Sequence, residues 1–224
     1  MNHPKSESYI QTKSIKLGEY QLPPFWQHLV DWVGTTFGVT ALNVELSCNE
    51  EIDRQDIDII LERISDCKKL EAQLGDQVAT YMAPFLYSKE RPTDDETKTR
   101  ILVWRTGRPL NIHVDCYSFE NVYHMEISQQ LSSIAGGSIK RKYPKLIEQI
   151  TANANTQYVF YKKEADVVEG RANGVSADIT QMYFEALKSR DKFAYFTIDD
   201  LSIIFDSKEN LDKNFGGNDY YYFK

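Results

Sequence analysis

Apolar residues recur along the chain with two periods, near 3.6 and near 2, and the switches between them mark out its elements. The clearest segment opens at Pro23-Pro24. Phe25, Trp26, Leu29, Val30, Trp32, Val33 and Phe37 follow at helical spacing before Gly38, which predicts a helix over 24–37 with an aromatic buried face. Leu42, Val44 and Leu46 then alternate with polar neighbours and predict a half-buried strand over 40–47. Asp53 reads as the cap of a helix whose face is Ile57, Ile60, Leu61 and Ile64, continuing through Leu70, Leu74, Val78 and Tyr81. The opposite face of that helix carries Asp56, Asp58 and Glu62.

Further along, 101–105 and 110–117 are rich in Val, Ile, Trp and Tyr and flank a Gly-Arg-Pro turn, so a β-hairpin is expected. Residues 118–134 hold both periods, but Phe119, Tyr123, Ile127, Leu131 and Ile134, with Ser118 as N-cap, favour a helix that Gly136-Gly137 breaks. A helix over 143–152, a strand over 158–161 and a helix led by Ser176 follow. A second hairpin is expected from 193–197 and 201–205. Asp206 or Ser207 then caps a short helix, with Glu209 completing a capping box, before Gly216-Gly217 and a closing aromatic strand over 220–223. Near the start, 14–20 alternates weakly and predicts an edge strand. No internal repeat is visible in the residues. Interspersed helices and hairpins indicate an α+β fold, a mixed or antiparallel sheet packed against several amphipathic helices. The expected organisation is a flexible 1–13 followed by a single domain over 14–224. The polar run 88–100 is the one candidate for a boundary within it.

Composition narrows the partners more than the chemistry. Acidic residues number 33 against 26 basic ones, a net charge of −7, so phosphate backbones and anionic lipid are repelled and nucleic acid is a poor partner. No apolar stretch approaches the roughly 20 residues that span a bilayer. The N-terminus lacks the apolar core of a secretory signal. Three cysteines, Cys48, Cys67 and Cys116, form no disulfide framework, and a cytoplasmic location is expected.

The candidate binding surface is the acidic cluster Glu50, Glu51, Asp53, Asp56, Asp58 and Glu62, which would meet a basic protein with nearby tyrosines as anchors. A second cluster, Asp199, Asp200, Asp206, Glu209 and Asp212, reads the same way. At the level of composition, the acidic balance and Tyr-rich end resemble the small acidic immunity partners of bacterial toxins. That resemblance implies a non-enzymatic inhibitor. The alternative is a metal-dependent hydrolase or nuclease. His113-x-Asp115 and His124-x-Glu126 would each present both side chains on one face if both segments were strands, and would activate water on a divalent ion. Cys116 beside them is a nucleophile or a small core residue. Gly136-Gly137 with Lys140, Arg141 and Lys142 lacks the spacing of a phosphate loop, and no Gly-x-Ser-x-Gly elbow occurs. No motif implies a cofactor.

Overall fold

The computed structural model describes residues 3–49, 54–70, 77, 78, 80, 81, 111–153 and 155–224. The chain is α+β, built as two compact units, Met1–Val122 and Tyr123–Lys224. In the first, α1 (Glu7–Lys16) and α2 (Pro24–Phe37) lead into β1 (Ala41–Asn49) and β2 (Arg54–Leu61). After these come α3 (Ile64–Leu70), β3 (Asn111–Ser118) and the start of α4 (Phe119–Lys142). The second unit holds the rest of α4, β4 (Ile147–Asn153), β5 (Thr156–Tyr161), α5 (Glu164–Ala172), α6 (Val175–Lys188), β6 (Ser202–Ser207), α7 (Lys208–Phe215) and α8 (Asp219–Tyr222). Among the described residues each unit has one three-stranded sheet, β1-β2-β3 and β4-β5-β6. In both, the first pair is antiparallel and the second parallel.

In the first unit α2 occupies the predicted span. Its Trp26, Leu29, Val30 and Val33 are buried against Val44, Ile57, Ile59 and Leu61 on one face of the sheet. Full burial of such side chains stabilises by about 1.5–3 kcal/mol each. Gly38 ends the helix at φ 64°, the left-handed region where a Cβ is costly. On the opposite face, Asn43 donates to Gln11 and Thr12 of α1, and Tyr9 stacks on Phe119 at 5.4 Å.

Several elements differ from the sequence expectation. The helix expected from Asp53 is instead β2 followed by α3. Asp56-Ile57-Asp58-Ile59 has period two, and Ile57 and Ile59 share the buried face. The edge strand at 14–20 gives way to α1, capped by Ser6 and burying Tyr9 and Thr12, so part of the expected loose terminus is an ordered helix. Of the run 110–117, the described residues from Asn111 on form strand β3, but its described partner is β2, in parallel. The other arm, 101–105, and the 88–100 run lie outside the described residues. Gly136-Gly137 sits within α4, where Gly136 approaches Ile150 closely. Residues 143–152 give a turn and then β4 rather than a helix. The second hairpin is absent: β6 pairs in parallel with β5, and the Asp191 carboxylate instead accepts from the amides of Tyr195 and Phe196. The final aromatic strand is helix α8, capped by Asn218, with Tyr222 against Phe160 and Phe223 against Tyr158.

The two units repeat one plan, which residue patterning alone did not reveal. Both antiparallel ladders carry an irregularity at the same place, between Ala41 and Asn43 and between Ile147 and Gln149. Leu61 pairs with Ser118 where Tyr161 pairs with Ser207. The amide of Glu62 donates to Thr40 and that of Lys162 to Leu146. Each parallel strand ends in Ser-x-Glu-Asn. Ser118 caps α4 through the Asn121 amide at 3.2 Å, and Ser207 caps α7 through Asn210 at 2.9 Å. The Glu two residues on accepts the first amide of the preceding crossover helix: Ile64 to Glu120 and Glu164 to Glu209, both at 3.1 Å. Glu209 therefore caps α5 rather than closing a box with Asp206.

Two substitutions test this framework by chemical denaturation. A Cβ at Gly170 would stand 2.6 Å from the hydroxyl of the fully buried Tyr161, which itself bonds Ser176. Gly170→Ala is expected to cost about 1–3 kcal/mol. Glu209→Ala, which strips α5 of its lateral cap, is expected to cost about 1 kcal/mol.

Candidate functional site

Beyond α1, the face of the first sheet opposite α2 is polar. Strand alternation places Glu45 and Ser47 of β1, Asp56 and Asp58 of β2, and His113, Asp115 and Tyr117 of β3 on that face. The register then aligns three carboxylates across the strands: Glu45 pairs with Asp58, and Asp58 with Asp115. The adjacent row is Ser47, Asp56 and His113. Directly opposed like charges destabilise a sheet, so the folded chain carries a repulsion that nothing in the strand pattern requires.

Electrostatics at the centre of the row reflect that crowding. Burial first, then the charges of Glu45, Asp115 and Asp56, push the Asp58 carboxyl up from 3.8 to about 6. Burial and the same carboxylates also raise the Tyr117 phenol above its ordinary value. Relief is local and incomplete. Asp56 is paired with Arg54 at 2.7 Å, and Asp115 with His113 at 3.0 Å. Among the described residues no cationic side chain lies within ion-pair distance of Glu45 or Asp58.

Of the acidic cluster expected from the sequence, Asp56 and Asp58 belong to this face. Glu62 lies past the end of β2, outside the row, and pairs with Lys16 of α1 at 2.7 Å. Glu50, Glu51 and Asp53 lie outside the described residues. Glu45 was not singled out by sequence reasoning, and Asp115 was considered only for metal. The available signal was the shared period of two in 45–47, 56–58 and 113–115, which needs the strand register to become a row.

Apart from Asp199, the second acidic cluster is engaged within its own unit, with Glu209 on the Glu164 amide. Asp200 accepts from Thr197, Asp206 from Asn210 and from Tyr222 at 2.5 Å, and Asp212 pairs with Lys208. His113 and Asp115 share a strand face, but His124 and Glu126 are on α4. Two positions on a helix differ by about 200°, so those side chains diverge. His124 stacks on Phe196 at 4.1 Å. Among the described residues, no three His, Cys, Asp or Glu side chains are grouped to hold a metal ion. No described helix is long and apolar enough to cross a membrane. The basic turn closes α4, where Lys142 pairs with Asp178 at 2.8 Å, while Arg105 and Arg108 fall outside the described residues.

The raised Asp58 carboxyl fixes a sign for pH dependence. Between about 4 and 6 the folded chain keeps a proton that the unfolded chain has lost, so this residue's contribution to stability falls as pH rises through that window. Asp58→Asn is expected to remove the decline and to stabilise the protein at pH 7 by about 1 kcal/mol, after allowing for solvent screening of a partly exposed group. Unfolding free energies of both proteins from pH 4 to 7.5 would show curves that converge at the acid end. Parallel curves would assign the proton elsewhere.

Comparison with protein-family models, with curated proteins and with solved structures finds no match, so the reading of this face rests on the chain's own residues.

Proposed function

We propose that this protein is a non-enzymatic, cytoplasmic binding protein whose first unit presents the Glu45–Asp58–Asp115 face to a basic protein. An immunity- or antitoxin-like inhibitor is the most concrete form of that role. The observation that carries the reading is the cross-strand alignment of the three carboxylates. A cationic side chain placed over the row removes the mutual repulsion, so binding gains the energy that folding lost there. The internal repeat adds to the argument. The register-equivalent positions of the second unit are Thr151, Tyr158 and Ile204, so the shared framework does not need acids at these places. The structural residues Ser, Glu and Asn of the two strand ends are the same in both units, whereas the row differs.

Mechanism follows from charge and shape. The acidic face steers a cationic partner and sets its orientation, and Tyr117 beside the row supplies an aromatic contact that slows dissociation. A partner cation would also draw the Asp58 carboxyl back down, so binding releases protons near pH 6.

The test is an affinity capture from the source cell's lysate with three baits: wild type, Glu45→Gln/Asp58→Asn/Asp115→Asn, and the control Asp199→Asn/Asp200→Asn. One stoichiometric basic protein, eluted by salt, is expected on wild type and control, with at least tenfold weaker affinity for the triple variant (about 1.4 kcal/mol). Equal capture by the triple variant, or no captured protein at all, would overturn the assignment.

A further inference from the structure

The first unit brings two cysteines together across its helix–strand contact. Cys67 lies in the middle of α3 and Cys116 near the end of β3, and the Cys116 thiol stands 3.8 Å from the Cys67 carbonyl oxygen. Both carry thiols, both are half-buried, and both pack against the apolar cluster beneath α2, on the sheet face opposite the acidic row. The two residues therefore adjoin, and a disulfide between them requires their Cα atoms to come within about 4.4–6.8 Å. By register, the second unit has Val167 and Phe205 at these two places. The shared framework is thus satisfied by an apolar pair there, and packing alone does not call for sulfur at either position.

We infer that Cys67 and Cys116 form a redox-responsive pair that a hydroperoxide converts to a disulfide, stapling α3 to β3. One thiol reduces the peroxide, becomes a sulfenic acid and releases the first water. The second thiol attacks that sulfur, the S–S bond forms, and the hydroxyl leaves as the second water. Overall, two thiols and one hydrogen peroxide give one disulfide and two waters. The residues are 49 apart in sequence, so the bond closes a long loop and restricts the unfolded chain strongly. It also pins β3, which pairs with β2 on one side among the described residues. This inference stands whatever binds the acidic face.

The experiment treats the full chain with hydrogen peroxide and reads intact mass, peptide map and thermal midpoint, before and after a reductant. The expected result is a loss of about 2 Da, a Cys67–Cys116 linked peptide, and a midpoint raised by about 5–10 °C that the reductant reverses. Cys67→Ser and Cys116→Ser should each abolish the cross-link, while Cys48→Ser should keep it. Oxygen added to either thiol without a cross-link, or a cross-link that includes Cys48, would overturn the inference. The wild-type peptide map decides between these outcomes even where a serine variant folds poorly.

Discussion

The structure depends on how each parallel strand pair is closed. In both units a β-strand, a crossover helix and a second parallel strand must be held in register although the strands are far apart in sequence. The Ser-x-Glu-Asn end performs that closure. Its serine starts the next helix, and its glutamate reaches sideways to the first amide of the crossover helix. One short segment thus satisfies donors at two helix starts, groups that have no intrahelical partner. A charged acceptor at such amides also complements the helix dipole.

Once the ladder is closed, the remaining architecture follows from which face each strand turns to which helix. In the first unit the α2 face collects Val44, Ile57, Ile59 and Leu61, and the other face receives what is left. Near α1 that face is apolar or amide-bearing, with Ile60 buried and Asn43 bonded to Gln11 and Thr12. Beyond α1 it is acidic. In the second unit the corresponding face is covered by α8, with Gln149 bonded to Asp219, and by rings around Tyr158 and Phe160. The same plan therefore yields one face closed by aromatic packing and one that keeps a row of carboxylates.

The carboxylate row differs in its electrostatics from the charged residues that hold the scaffold. Scaffold residues in this chain are satisfied by their neighbours, as Asp191 is by two amides and Lys188. Asp58 instead is partly buried between two other acids, and burial first, then those charges, displaces its carboxyl upward. Strain of this kind is relieved by a ligand of opposite charge, which is why the reading favours a basic partner over an intrinsic reaction.

The residue pattern alone determined the α+β class, helix 24–37, strand β1, the start of α4 at Ser118 and the capped α7, because each is set by local periodicity and by a cap or glycine next to it. It also put Asp56 and Asp58 among the acids of interest. Only the tertiary structure decided that 54–61 is a strand, since a short apolar run satisfies both periods until a partner strand claims its amides. Only the register could join Glu45 to Asp58 and Asp115, and only the packing of α3 on β3 could join Cys67 to Cys116, because contact between distant segments leaves no local trace. The repeat was hidden for the same reason: hydrogen-bond pattern and register preserve it, while the side chains that fill it have diverged.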